Sequence, residues 1–395
     1  CGHWAAEPQA SMQQIVFDQP YEFVPARVSG FWKSLIRLWM PGAMRRRYGL
    51  TDIEVVGAER LRSSLAAGHG VLVASNHSRA SDPLVLGMGI DRETGGKPAF
   101  MMGGWHLFMQ NSLQRFLLPR VGAFSVYREG PDRDALNFAI GVLSRGEGPL
   151  TIFPEGSVTH SNNRLAPLMD GAAFMARMAA KRRLQEGRSG GVVVHPTFIR
   201  YFFDGDLETA VTPVLGEIEE RLSWQRQDHL PLLRRIEQVG ESLLVQREIE
   251  HLGVPGRGAP GDRVARLLAH MLGALEDEWA VKGGKTDPME RVRRLRGAIL
   301  ADMVDGSELP AEERRRRWHQ LGILYQVQNL TCHPRRHLGE DASAEEILDM
   351  VDRYEEDLTD RHRPHPPWRA VIFFGEALEA GVKRQRGSQG EELTG

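Results

Sequence analysis

A histidine and an aspartate five positions apart are the side chains of this sequence best suited to acid–base chemistry. His77 and Asp82 lie in a polar segment that follows the apolar run 71–74. An imidazole titrates near neutrality, so a histidine held by a carboxylate is a natural general base. Residues five apart diverge by roughly 140° around a helix, so these two side chains can meet only across a turn.

The neighbouring residues predict such a turn. Residues 71–74 are typical of a buried strand and 84–90 of a helix, with Asp82 as its N-cap and Pro83 at its first position. The pair would then lie beyond the carboxyl end of a strand, where α/β proteins bind ligands. Capping by Asp82, with His77 as an ordinary polar loop residue, accounts for the same stretch equally well.

A second predicted buried strand, 150–153, ends abruptly at Pro154. Glu155 follows the strand end, and Gly156 would let a ligand or another backbone approach closely. An ordinary strand-to-turn junction with an exposed glutamate is the simpler interpretation of this motif by itself.

Two weaker patterns are an arginine after one strand and a proline inside another. Residues 122–128 predict a strand edge that ends at Arg128, whose guanidinium could bind phosphate, although solvated arginines are common at strand ends. Pro196 interrupts the apolar strand 192–198, which predicts an edge strand or the wall of an apolar channel. His195 is predicted to be a packed histidine rather than a ligand.

Composition excludes several classes of protein. The 395 residues carry 50 Lys plus Arg against 52 Asp plus Glu, which argues against a nucleic-acid binder held by bulk positive charge. The two cysteines, Cys1 and Cys332, exclude a disulfide framework and favour a reducing compartment. We expect the start at Cys1 to be a truncation rather than a processed, lipid-modified terminus. His333 and His337 could join Cys332 on a metal, but their spacing is not typical of zinc, so we predict no metal site.

No stretch approaches the roughly 20 apolar residues that span a bilayer. The segment 29–41, however, sets Trp32 and Trp39 among basic residues and is followed by three consecutive arginines, 45–47. Tryptophan with a basic flank is typical of a helix lying at a membrane interface. The alternative is an amphipathic helix that packs on the protein's own core. A lipid substrate would favour the helix at the membrane interface.

Strands alternate with helices from about residue 52, which predicts an α/β fold with a mixed, mostly parallel sheet flanked by helices. After Pro213 the pattern becomes helical and highly charged, over 217–253, 262–282, 288–304, 310–330 and 343–359, and a strand-like run returns at 366–376. We therefore predict four regions: a lead-in with the interfacial helix (1–50), the α/β domain (51–215), a helical insertion or lid (216–365), and a strand rejoining the first domain with a tail (366–395).

The four strand-end motifs, in this order, resemble the glycerolipid acyltransferase family, typified by glycerol-3-phosphate and 1-acylglycerol-3-phosphate acyltransferases. The resemblance covers roughly residues 50–215, and its first and third motifs are specific as a pair. It implies that His77 is the general base and Asp82 its orienting partner. It also implies a set of substrate-binding residues: Asn76, Ser78, Arg128, Phe153, Pro154, Glu155, Gly156 and Ser157 near the acceptor, and Pro196 in the acyl pocket.

The resemblance implies transfer of a fatty acyl group from acyl-CoA or acyl carrier protein to a glycerolipid hydroxyl, with no cofactor besides that co-substrate. It implies membrane lipids as partners, no nucleic acid, and a cytoplasmic protein associated peripherally with the inner face of the membrane. The alternatives are a lysophospholipid reacylase or an acyltransferase for another amphiphile, a thioester or ester hydrolase, and a non-catalytic lipid-binding module.

One departure from the family concerns the acceptor. Many members place an arginine soon after the third motif, whereas residues 157–162 here contain no cation for phosphate except His160. Arg164 or Arg79 could substitute for it. Branches of the family that reacylate lysophospholipids have polar, uncharged residues at this point, so the resemblance here leans towards lysophospholipid acceptors.

Overall fold

The computed structural model describes residues 18–223, 225–283, 287–305, 307–333, 338–359, 363 and 365–381. Cys1 and the rest of the lead-in to residue 17, His337, and the tail from residue 382 lie outside this set.

The strands in chain order are β1 (Leu50–Val56), β2 (Gly70–Ser75), β3 (Phe100–Gly104), β4 (Ala123–Val126), β5 (Leu150–Ile152), β6 (Val192–Phe203), β7 (Trp368–Phe374) and β8 (Leu378–Glu379). Within the described residues they form one eight-stranded sheet in the order β1-β7-β6-β2-β5-β3-β4, with β8 paired to β6. The strands β6, β2, β5, β3 and β4 run parallel to one another. The predicted mostly parallel sheet is therefore confirmed.

The strand predicted after the helical region does rejoin the sheet, as β7. It pairs in parallel with β1 and antiparallel with β6, so it lies between the first strand and the rest of the sheet. A lone strand cannot satisfy its own backbone hydrogen bonds, which is why this run was expected to join existing strands.

The helices in chain order are α1 (Gly30–Tyr48), α2 (Ala58–Ala66), α3 (Asp82–Glu93), α4 (His106–Met109), α5 (Ser112–Arg120), α6 (Arg133–Arg145), α7 (Gly171–Gln185), α8 (Leu207–Ser223), α9 (Leu232–Leu252), α10 (Pro260–Glu278), α11 (Pro288–Val304), α12 (Ala311–Thr331) and α13 (Ala344–Thr359). Helices α4 and α5 are separate, because the Asn111 side chain accepts the Gln114 N–H and starts α5 anew. The helix expected over 217–253 is likewise divided into α8 and α9.

Both faces of the sheet are covered. Val71 and Val73 of β2 belong to a core with α3, α8, α9 and α13, whereas Leu72 packs with α6 and α7 on the opposite face. This alternation follows from the period of two in a strand.

The helical region packs in two parts. Helices α8, α9 and α13 share a core with the sheet, whereas α10, α11 and α12 pack mainly around a separate core. The predicted boundary between residues 215 and 216 falls inside α8, and α8 packs on the sheet.

Candidate active site

The loop after β2 brings His77 and Asp82 together. Nδ1 of His77 lies 3.0 Å from Oδ2 of Asp82, so the predicted contact across a turn is present. The Asp82 side chain is fully buried, whereas 16% of the His77 side chain is exposed. Since Asp82 holds Nδ1, Nε2 is the ring nitrogen left for a substrate.

Asp82 is held from two further directions. Its Oδ2 accepts the Arg79 backbone N–H at 2.9 Å, and its Oδ1 accepts the hydroxyl of Tyr201 at the far end of β6. Burial raises the pKa of Tyr201 well above its ordinary value, which keeps the phenol neutral and able to donate. The carboxylate that orients His77 is therefore itself fixed in place.

The prediction that Asp82 is the N-cap of α3 is wrong. Ser81 occupies the N-cap position and Asp82 is the first helical residue. The Asp82 carboxylate instead serves His77, the Arg79 N–H that precedes the helix, and Tyr201.

Phe153 and Glu155 hold His77 from the neighbouring strand end. The rings of Phe153 and His77 stack with their centroids 4.3 Å apart. Glu155 accepts the His77 backbone N–H at 2.6 Å with one oxygen and the Ala166 N–H at 2.8 Å with the other. Burial raises the pKa of this carboxyl, although the two backbone hydrogen bonds partly oppose the shift. Glu155 thus positions the His77 backbone, a role that the sequence motif did not indicate.

Arg128 reaches the same turn from beyond the end of β4. Its guanidinium donates to the carbonyl of Gly156 at 3.1 Å and lies 3.3 Å from Nδ1 of His106. Gly156 has φ +74°, a backbone conformation that L side chains rarely adopt, so glycine is favoured at this position.

These residues face a cavity of about 1920 Å³. Of the predicted site residues, those that line it are His77, Arg128, Phe153, Pro154, Glu155, Gly156 and Ser157. Its apolar walls come mainly from α1, α3 and α5, and several arginines lie elsewhere on its surface.

Two predicted substrate-binding residues next to His77 lie away from the cavity wall. The amide of Asn76 donates to and accepts from the backbone of Ile199 on β6, so it ties the loop to the sheet. The Ser78 hydroxyl is buried with no hydrogen-bond partner among the described residues. Neither side chain faces the space in which a substrate would lie.

Pro196 lies inside β6 rather than on an edge strand. It pairs with Ala74 of β2, and its carbonyl accepts the N–H of Gly375 in the gap between β7 and β8. The missing N–H of proline is tolerated there because no regular strand faces it. Pro196 does not line the cavity, so the expected place in its wall is a correction. His195 is packed as predicted, with its ring nitrogens on Ser64 and the Gly375 carbonyl.

The structure also shows why neither proposed substitute supplies the missing cation. Arg79 donates to Asp349 of α13 at 2.8 Å and stacks 3.7 Å from the centre of the Trp368 ring. Arg164 is exposed and does not line the cavity. The suggestion that either residue replaces the family's arginine is therefore wrong.

Tyr201 and Asp349 were not among the site residues predicted from the sequence. Tyr201 looked like one more apolar residue of a strand, and Asp349 like one more charge on a solvated helix. Asp349 also accepts the backbone N–H of Asn162, whose side-chain amide pairs with the backbone of Tyr201. No sequence signal singles out these contacts, because they depend on how α13 packs.

Among the described residues, no group of three or more His, Cys, Asp or Glu side chains is arranged to hold a metal ion. In the same part of the chain, no helix has the length and apolar character needed to cross a membrane.

Comparison with known families matches residues 52–200 to a family model described as Acyltransferase. Comparison with curated proteins gave no match. The matched residues run from β1 to β6 and include the His77–Asp82 loop, Arg128 and the turn at Glu155. Residues 52–200 of this chain are therefore similar to the acyltransferase family.

Proposed function

We propose that this protein transfers a fatty acyl group from a thioester, acyl-CoA or acyl carrier protein, to a hydroxyl of a glycerolipid such as 1-acylglycerol-3-phosphate. The observation that carries the proposal is the setting of His77. Its Nδ1 is held by a buried carboxylate, its ring stacks on Phe153, and it lies on the wall of a large cavity.

In this mechanism, Nε2 of His77 accepts the proton of the acceptor hydroxyl as the oxygen attacks the thioester carbonyl. A C–O bond forms, the C–S bond then breaks, and the leaving thiolate takes the proton from the imidazolium. Asp82 holds the productive tautomer and stabilises the imidazolium while the proton resides there. The nucleophile belongs to the substrate, so no covalent enzyme intermediate is required.

The cavity has the volume and the apolar and cationic side chains to hold both substrates. Apolar side chains suited to an acyl chain come from α1, α3 and α5, and include Met40, Met44, Leu84, Met88 and Leu117. These walls replace Pro196 as the candidate acyl pocket. Arg128 lies near the turn that holds His77, where an anionic part of a substrate would gain a charge-assisted contact.

Helix α1 supports docking on a lipid surface. Phe31 and Leu38 are 71% and 82% exposed, and Leu113 of the adjacent α5 is 65% exposed, whereas Met44 anchors α1 in the core. Lys33 and Arg37 are paired with Asp91, so the cations available to anionic lipid are the exposed arginines 45–47. We propose that this apolar patch, bordered by those arginines, rests on the membrane interface.

The test is an assay of acyl transfer with acyl-CoA and acyl carrier protein as donors and a panel of lysolipid acceptors. Replacing His77 by Ala should lower kcat by at least about 100-fold, the scale of general-base catalysis. Full activity of that variant would overturn the mechanism. Release of free fatty acid without esterified product would instead indicate a hydrolase, and preference for lysophosphatidylcholine or lysophosphatidylethanolamine would indicate a reacylase.

A further inference from the structure

Helix α11 packs directly against the loop that carries Arg128. A Cβ on Gly297 would lie 2.5 Å from the backbone oxygen of Glu129, a distance that real side chains do not tolerate. Gly297 therefore allows the backbone of α11 to lie against this loop. The contact brings part of the helical region to the wall of the acyltransferase cavity.

The neighbouring residue on α11, Arg296, is buried at that contact. Only 7% of Arg296 is exposed, yet it is among the residues that line the cavity with Arg128. One terminal nitrogen lies 3.7 Å from Glu129 and the other donates to Gln328 at 3.3 Å. Its buried Nε has no hydrogen-bond partner within the described part of the chain.

A buried guanidinium whose Nε–H has no hydrogen-bond partner can still donate to an anion. Burying a cation is costly unless it is paired and fully hydrogen-bonded, and Glu129 at 3.7 Å offers only a long contact. Burial is the main cause that lowers the pKa of Arg296; Glu129 partly opposes this shift, and the nearby positive charge of Arg128 adds to it. A dianionic group between the two arginines would relieve both effects.

We propose that Arg296 and Arg128 together bind the phosphate of the acceptor's headgroup, so that α11 supplies the cation that the family places after its third motif. The proposal rests on the acyl transfer proposed above and names its acceptor class as a glycerolipid phosphate. Guanidinium groups suit phosphate because their planar N–H forks match its oxygens.

Charge balance favours an anion here. Arg296 has one carboxylate nearby, Glu129, and burial together with the charges of Arg128 and Arg296 lowers the pKa of His106 well below its ordinary value. His106 is thus neutral and adds hydrogen-bonding capacity without charge. An acceptor phosphate at this point would remain near the reacting hydroxyl, because Arg128 binds Gly156, whose neighbour Glu155 holds the His77 backbone.

The direct test measures binding rather than turnover. Isothermal titration of the full chain with short-chain 1-acylglycerol-3-phosphate, neutral 1-monoacylglycerol and acyl-CoA would compare wild type with Arg296→Gln. We expect the Kd for the phosphate acceptor to rise by about tenfold or more, the scale of a lost hydrogen bond to a charged group, with the other two unchanged. Arg296→Lys keeps the positive charge but loses the planar guanidinium, so it should raise that Kd several-fold. This second variant keeps the test valid if Arg296→Gln is unstable.

Arg291→Gln is the matched control. Arg291 lies on the same helix with 15% of its side chain exposed, but it pairs with Glu276 and does not line the cavity, so its loss should leave the Kd unchanged. An unchanged Kd in both Arg296 variants would overturn the proposal, and so would a rise confined to acyl-CoA, which would assign the site to phosphates of the donor. If wild type transfers no acyl group while Arg296→Gln still loses phosphate binding, the proposed function fails and the phosphate site stands.

Discussion

The guanidinium of Arg79 lies 2.8 Å from Oδ1 of Asp349, which joins the loop between His77 and Asp82 to helix α13. Both side chains are 11% exposed, so the pair is largely removed from water. The helical region is therefore part of the support of the candidate active site, and this contact can be broken by one substitution.

Replacing Asp349 by Ala should leave the Arg79 charge buried without its partner. We expect a loss of about 3 kcal/mol in the free energy of unfolding, the scale for removing one member of a buried ion pair. Chemical denaturation would measure the loss, and acyl transfer should fall with it because the loop carries His77. Glu147→Ala, which removes the exposed partner of Arg145, is the control and should change stability little. Equal stability of wild type and Asp349→Ala would contradict the structural role assigned to the pair.

Replacing Tyr201 by Phe should deprive Asp82 of one of its hydrogen bonds. We expect a destabilisation of about 2 kcal/mol, typical of a hydrogen bond to a charged group, and a lower kcat with little change in KM. Ser81→Ala is the control, because the Ser81 hydroxyl lies 3.0 Å from the Tyr201 hydroxyl, whereas the hydrogen bonds to the Asp82 carboxylate come from His77, Arg79 and Tyr201. A larger loss of kcat in Ser81→Ala than in Tyr201→Phe would show that the hydroxyl does not act through Asp82.

The raised pKa of Glu155 predicts a pH-dependent stability. Burial is the main cause, and the folded protein therefore binds this proton more tightly than the unfolded chain does. The resulting stability is present below the ordinary Glu value of 4.5 and is lost as pH rises through the higher folded-state pKa. The free energy of unfolding of wild type minus that of Glu155→Gln should thus decrease as pH rises from this value. A difference that grows over the same interval would contradict the assigned direction.

Replacing Phe31 and Leu38 together by Glu should release the protein from vesicles. Each fully buried side chain of this size contributes about 1.5–3 kcal/mol, so the partition coefficient should fall by at least about tenfold. Co-sedimentation with vesicles that contain anionic lipid would measure it. Leu184→Glu, at a 70% exposed position on α7 outside the patch, should bind as wild type does. Equal loss in the control would show that added negative charge, and not the patch, explains the result.

Local patterns predicted the elements that carry the site. The apolar run 71–74 became β2, the polar segment after it brought His77 to Asp82, and the run near 366–376 became β7. These predictions succeeded because strand period and turn chemistry depend on near neighbours in the chain. The spacing of His77 and Asp82 fitted either acid–base chemistry or helix capping, and the family resemblance favoured the chemistry.

Contacts between distant segments could not be predicted in the same way. Asp82 fits the N-cap pattern, but its carboxylate accepts a hydrogen bond from the Tyr201 hydroxyl, which lies 119 positions away in the chain. From the sequence, Arg79 was a candidate phosphate ligand. In the structure its guanidinium pairs with Asp349 of α13. Arg296 was one of many charges on a helix, and only the close packing at Gly297 gives it a place on the cavity wall.

The position of β7 between β1 and β6 limits how this domain can be produced in isolation. A fragment cut at the matched residues 52–200 would lack the strand that pairs with β1, and also Trp368, on which Arg79 stacks. On the ribosome, likewise, the loop bearing His77 would acquire its complete support only after residues 368–374 have emerged. Acyl transfer should therefore appear late in synthesis, as the last large strand closes the sheet.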